Sequence, residues 1–188
     1  TVNAATIVLA DASTIQGAAA DLTGATISGA GTVNISYGSF LGTVDLSNIT
    51  ANALTFNGST TVQVTGVVTL TAAQAEGLTI THTGTVTITA LEATLDADLS
   101  TLTADTVTAA FASDADLEVL AAANWGTATV NVSGTGTVTI ASGATVNAAT
   151  IVLADASTTI QGAAADLTGT TISGTGTVTI TALEATLD

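Results

Sequence analysis

With no lysine, arginine or cysteine, this chain of 188 residues can bring 15 carboxylates and one imidazole to chemistry near neutral pH. Asp114, Asp116 and Glu118 alternate in "SDADLE", and Asp96, Asp98 and Asp105 lie close by in sequence. Carboxylates gathered at a turn supply the hard oxygen ligands that calcium takes. These six acids are therefore the candidates for a calcium site. The EF-hand loop and the glycine-rich nonapeptide calcium repeat are both absent. The competing reading of the six is a solvated acidic face or a helix cap. Asp11 and its repeat Asp155, each in "LADAS", read as turn residues that accept from backbone amides.

The imidazole, His82, stands alone in "LTITHTG". It falls on the face of Leu78 and Ile80 or at the adjoining turn, which reads as a structural position. No local spacing joins it to a nucleophile and an acid. Ser28 and Ser173 lie in "ISG", which is not the strained elbow of a nucleophilic serine. A phosphate loop of the glycine-plus-lysine type needs a lysine. No catalytic residue and no organic cofactor is expected, and the chain reads as non-enzymatic.

Charge bounds the partners. Fifteen acids and no basic side chain give a net charge of −15. Phosphate contacts that release counterions need Lys or Arg, so nucleic acid is not an expected partner. An anionic membrane surface is disfavoured on the same ground. No run of about twenty apolar residues is present to span a bilayer. The first residues, "TVNAATIVLADAS", lack the basic start of a signal peptide. Without cysteine there is no disulfide and no thiolate metal site.

The elements that must carry these residues are repeats. "TVNAATIVLADAS" at 1–13 recurs unchanged at 145–157. After one inserted residue, 14–35 returns with few changes at 159–180, so that 1–35 matches 145–180. "TGTVTITALEATLD" at 83–96 is identical to 175–188. "GTVTI" or "GTVNI" begins at Gly31, Gly84, Gly136 and Gly176, with spacings of 53, 52 and 40. The last residues thus repeat the middle of the chain and the first repeat its end. The expectation is a single repeat array over 1–188, either a window on a longer array or a subunit that continues head-to-tail.

Short pieces such as "TIVLA", "TVDLSN", "TTVQV" and "TATVNVSG" alternate Val, Ile or Leu with Thr, Asn or Gln. A period of two marks a strand with one buried face. Val33, Ile35, Val86, Ile88, Val138, Ile140, Val178 and Ile180 should then point inward, with Thr85 and Thr87 outward. Threonine fills 42 positions and suits pleated, half-buried strands. Near-exact repeats, small side chains and a tolerated one-residue insertion favour stacked coils over a sandwich or a barrel. The predicted fold is all-β, a β-solenoid of the parallel β-helix type. Coils of 18–20 residues with two faces fit the spacings, whereas about 26 with three faces fits 52 but not 40.

Two alanine-rich stretches predict short helices, about 72–77 and 113–124, the second with Leu117, Leu120 and Ala121 inward. "ALEATLDADLSTL" at 90–102 reads as strand and turn. Outward Thr-x-Thr, as at 85–89, raises the alternative of an ice-binding row, against which the uneven spacing of the repeats speaks.

"LTAAQAEGLTITHTGTVTI" at 70–88 and "TISGTGTVTITALEATLD" at 171–188 resemble stretches of very large, repeat-rich bacterial surface and secreted proteins. The resemblance implies an extended, non-enzymatic, extracellular or cell-surface structural role, as a filament, sheath or adhesin stalk. It implies self-association, head-to-tail or lateral. The alternative of another class is a calcium-dependent or ice-binding adhesion module.

Overall fold

The alternating pieces become short parallel strands, each paired with the equivalent piece of the next coil. A computed structural model describes residues 6–36, 40, 42–146 and 149–183. The protein is all-β, a β-solenoid of about eight turns. It divides into two compact units, residues 1–87 with 102–106 and residues 88–101 with 107–188.

The first unit carries β1 (Thr6–Leu9), β2 (Thr14–Ala18), α1 (Ala19–Leu22), β3 (Thr26–Ser36), β4 (Thr43–Asp45), β5 (Ile49–Thr55), β6 (Thr61–Gln63), β7 (Val67–Thr71), α2 (Ala72–Ala75) and most of β8 (Thr79–Thr89). The outermost coil, β1 and β2, lies on β3 alone, with Thr6 opposite Thr26 and Thr14 opposite Thr32. β3 then carries β5 on its other side. Further along, β4 pairs β7 and β6 pairs β8.

The second unit carries most of β9 (Leu102–Ala112), then β10 (Leu117–Val119), β11 (Thr129–Ser133), β12 (Thr137–Ile140), β13 (Thr150–Leu153), β14 (Thr159–Ala163), α3 (Ala164–Leu167), β15 (Thr171–Gly174) and β16 (Thr177–Ala182). One sheet runs β9, β11, β13, β15 and the other β10, β12, β14, β16. Thr108, Thr129, Thr150 and Thr171 stand in one file, so a coil here is 21 residues. Each coil has two strands and a short third side. On that side Asp98, Asn124 and Thr145 are linked by single parallel bridges.

The alternation of the strands is as expected. Val33, Ile35, Val86, Ile88, Val138 and Ile140 are buried, while Thr85 and Thr87 are half-buried on the opposite face. Val178 and Ile180 depart from this, at 43% exposed each. By register Val178 stands opposite the buried Ile160, but β16 is the last strand of its sheet and no described strand is stacked on it.

The recurrence of "GTV" has a steric cause. A Cβ placed on any of its four glycines would lie under 3 Å from a backbone oxygen of an earlier segment. The oxygens are those of Ser13 for Gly31, Gly66 for Gly84, Ala115 for Gly136 and Thr158 for Gly176. The coil turns its corner against its neighbour there, and only a residue without a side chain fits.

The sequence repeats fold as structural repeats. β1, β2 and α1 read TIVL, TIQGA and AADL, and so do β13, β14 and α3. The inserted residue is absorbed in the turn between strands. The Ser13 carbonyl accepts from the Thr32 amide, and the Thr158 carbonyl accepts from the Thr177 amide in the same way. Thr158 is fully buried, and its hydroxyl donates to the Gly134 carbonyl at 3.0 Å.

The helix expected near 72–77 is α2, one turn long. The helix expected over 113–124 does not form. Leu117–Val119 is instead a strand paired with β12, and Leu120 and Ala121 are exposed. Backbone pairing with the next coil outweighs the weak helix preference of alanine in so short a piece. Two helical turns not foreseen in the sequence, α1 and α3, occupy the corner that α2 occupies, directly after a strand. All three read Ala-Ala-x-x-x-Gly, with Gly24, Gly77 and Gly169 in the left-handed conformation. Over 90–102, where strand and turn are expected, the chain is a 3₁₀ turn (Leu91–Ala93) and irregular turns, and a strand begins only at Leu102. Leu91, Leu99 and Leu102 are buried there.

Gln74 fastens α2. Its Oε1 accepts from the Thr71 amide at 2.8 Å, and its Nε2 donates to the carbonyls of Leu46 and Ile49 at 2.9 and 2.7 Å. Thr71 Oγ1 completes a capping box by accepting from the Gln74 amide. Gln74→Ala is expected to lower stability by about 1–3 kcal/mol, since the Ile49 carbonyl loses this donor and the Leu46 carbonyl keeps only the Ile49 amide. Gln74→Glu should cost at least as much, because a carboxylate cannot donate to them. Urea denaturation of the three proteins checks this, and an unchanged Gln74→Glu would refute the donor role.

Candidate functional site

The carboxylates are placed by the coils as acceptors for backbone amides. In a chain without Lys or Arg, N–H and O–H groups are the donors on hand, and charge-assisted hydrogen bonds to them are the strong ones. Asp114 Oδ1 accepts from the amide and hydroxyl of Thr135 at 3.0 and 3.1 Å, and Asp116 Oδ1 accepts from the Thr137 amide at 2.7 Å. The segment 114–116 thus grips both sides of Gly136, where the two coils lie in close approach. Glu92 Oε2 takes the Ala112 amide at 3.0 Å, and Asp155 Oδ2 takes the Gly134 amide at 3.2 Å. The turn role expected of Asp155 is thus a link to the preceding coil.

Asp98 makes a local turn, accepting from the amide and hydroxyl of Ser100 at 2.9 and 2.6 Å. Asp45 does the same with Ser47, and Asn124 Oδ1 accepts from the Gly126 amide. Each of these turns buries the residue that follows: Leu46, Leu99 and Trp125. Trp125 meets Phe111 with ring centroids 6.4 Å apart.

Of the six calcium candidates, all are exposed. Asp98, Asp114 and Asp116 each hold amides through one oxygen. Asp96 and Glu118 lie at a turn and in β10, and Asp105 lies in β9. Among the described residues no three of His, Asp and Glu stand close enough to hold one ion. His82 lies in β8, but its side chain is outside the described residues. Because Asp98, Asp114 and Asp116 already serve the fold, a chelator is expected to leave the melting temperature within about one degree. A site a hundredfold saturated would add about 2.7 kcal/mol, so a fall of several degrees on chelation would establish a calcium site.

The outward Thr files are mixed. Glu118, Thr139, Gln161 and Thr179 form one file, beside Thr137, Thr159 and Thr177. Thr-x-Thr is thus interrupted on alternate coils by Gln or Glu.

One open cleft lies beneath α2, lined by residues that include Ile49, Asn52, Leu54, Gln74, Glu76 and Leu78. Its single ionisable side chain is Glu76, so it brings neither a pair of carboxylates nor a base beside a nucleophile.

Among the described residues β1 and β2 pair with β3 alone, β15 with β13 and β16 with β14; β4, β5, β6 and β10 also pair with one strand each. Among the described residues, four of the five exposed large apolar side chains belong to β1 or β16 or adjoin them: Val8 (74%), Val178, Ile180 and Leu183 (82%). Identical sequence is buried wherever it has a neighbour on both sides. Ile7 and Ile15 are half-buried, while Ile151 and Ile160 are fully buried.

Among the described residues no helix is long and apolar enough to cross a membrane. Comparison with protein-family models, with curated proteins and with solved structures gives no match.

Proposed function

We propose that the chain is a non-enzymatic structural protein of the extracellular space or cell surface, a β-solenoid segment that builds a filament, sheath or adhesin stalk. The observation that carries this reading is the near-exact repetition of the coils: TIVL, TIQGA and AADL form β1, β2 and α1 and again β13, β14 and α3 in a stack of parallel strands. Near-identical coils bury one another by stacking, and stacked repeats build extended, quasi-one-dimensional structures. A chain without Lys or Arg also offers no cleavage site to trypsin-like proteases, which suits an exposed setting.

Electron microscopy of the purified chain over a range of concentrations tests the proposal. End-joined particles that lengthen with concentration are expected. Net charge of −15 opposes association, so lengthening should increase with salt, which shortens the screening distance to about 3 Å at 1 M. Separate particles of one-chain size at every concentration and salt level would defeat the proposal.

A further inference from the structure

We propose that the edge of β5 beside α2 is a docking site for an extended, basic peptide of a partner protein, which would add a strand there. The site goes beyond the structural role proposed above and does not depend on it. It arises from an interruption inside the stack. β4 is followed in the next coil by β7, and β6 by β8. β5 lies between β4 and β6 in sequence, yet among the described strands it pairs with β3 alone. Residues 72–78, which would supply its next neighbour, form α2 and the turn through Glu76 and Gly77. The chain becomes a strand again only at Thr79, opposite Thr61 of β6.

The missing neighbour leaves backbone groups and an apolar file open. The Asn48 carbonyl accepts from the Ile27 amide in β3, and the Ile49 carbonyl accepts from Gln74 Nε2 on the opposite side. Alternation then aims the N–H and C=O of Ala51 away from β3, at the open side. Val33, between Ile15 and Leu54 in its file, is 0% exposed, whereas Leu54 has a strand on one side only and is half-buried. Beside this edge lies the cleft beneath α2, of about 390 Å³, and a second hollow of about 230 Å³ adjoins it. Leu54 and Leu78 line both. Five extended residues, about 16 Å, run the length of β5 from Ala51 to Thr55. Their backbone would take up the ladder, and one apolar side chain would cover Leu54.

Charge selects the occupant. Glu76 is the cleft's single ionisable side chain, and it is exposed. The chain has no Lys or Arg to pair with it, and its net charge of −15 repels another acidic chain, a second copy included. Lysine or arginine beside the apolar residue would meet Glu76 and the surrounding negative field. The partner's segment therefore alternates apolar and polar residues and carries a basic residue at one or both ends.

The probe is the dye-labelled peptide KTVTIK, titrated into the full chain at low salt and read by fluorescence anisotropy. Saturable binding is expected, and it should weaken several-fold at about 0.5 M salt. The charge-reversed peptide ETVTIE should bind at least about tenfold more weakly. Methylating the four central backbone amides of KTVTIK removes the ladder donors and should abolish binding. Ala73 is exposed on α2 and lines the cleft, so Ala73→Trp fills the site without touching the core. That variant should keep its circular dichroism and melting temperature and lose the peptide. Glu76→Gln should weaken KTVTIK about two- to fivefold at low salt and narrow its advantage over ETVTIE. No saturable binding up to about 1 mM peptide, equal affinity for ETVTIE, or full binding by Ala73→Trp would each overturn the proposal. Electron microscopy of Ala73→Trp keeps the two readings apart. Filaments that persist while the peptide is lost are expected. Filaments lost together with the peptide would make a second copy the occupant and overturn the basic partner.

Discussion

Replacing Ile151 by aspartate is expected to destabilise its coil by on the order of 5 kcal/mol, and the same replacement at Ile7 by about 1–2 kcal/mol. Both isoleucines sit in the same TIVL, within thirteen identical residues. Ile151 is fully buried between Val130 and Ile172 in neighbouring strands. Aspartate there forfeits the apolar burial and places a carboxylate where the facing groups are hydrocarbon. Ile7 has Ile27 on one side only and is half-buried, so water reaches the new carboxylate. The penalty at 151 should shrink on acidification. Burial raises the folded carboxyl's pKa above its unfolded value, so the folded state binds the proton first and regains stability as pH falls. Because coils contact chiefly their neighbours, hydrogen exchange should quicken first in β11, β13 and β15. Equal losses at 7 and 151 in the single-chain state would contradict the half-buried placement of Ile7.

The second large effect is expected at a glycine. Gly136→Ala should cost about 3 kcal/mol, because the added methyl meets the backbone of Ala115, which no side-chain rotation can move. The coils must part at the point where Asp114 and Asp116 hold Thr135 and Thr137, so the substitution also lengthens those hydrogen bonds. Gly58→Ala provides the comparison. It has open space around it and a φ of +74°, so the cost is only that of a left-handed alanine, about 1 kcal/mol. Thermal melts of the two variants separate close approach from backbone strain. A Gly136→Ala melt no lower than that of Gly58→Ala would show that the coils are not held at that distance.

Period-two alternation was enough to place Val33, Ile35, Val86, Ile88, Val138 and Ile140 inside, because the direction of a strand side chain is a local property. The repeats were enough to announce coils, since near-identical segments can bury one another only by stacking. The glycine of "GTV" was visible as a recurring letter, but its reason, the oxygen of another coil, was not. The candidate calcium acids show the same limit. Asp114 and Asp116 alternate like ligands in sequence, while their partners, the amides of Thr135 and Thr137, lie 21 residues away.

Composition and pattern by themselves determined that this protein is a stack of short parallel strands, rich in threonine outside and in valine and isoleucine inside. They also determined that its charges must find acceptor roles without basic partners. Only the tertiary structure decided which copies are covered. TIVL at 6–9 and at 150–153 has the same letters and the same backbone form, yet one is half open and the other sealed. The stack likewise decided against a helix at 113–124 and for helical turns at AADL. Burial and backbone pairing depend on the neighbouring coil, about twenty residues distant in sequence, and no short stretch of residues carries that information.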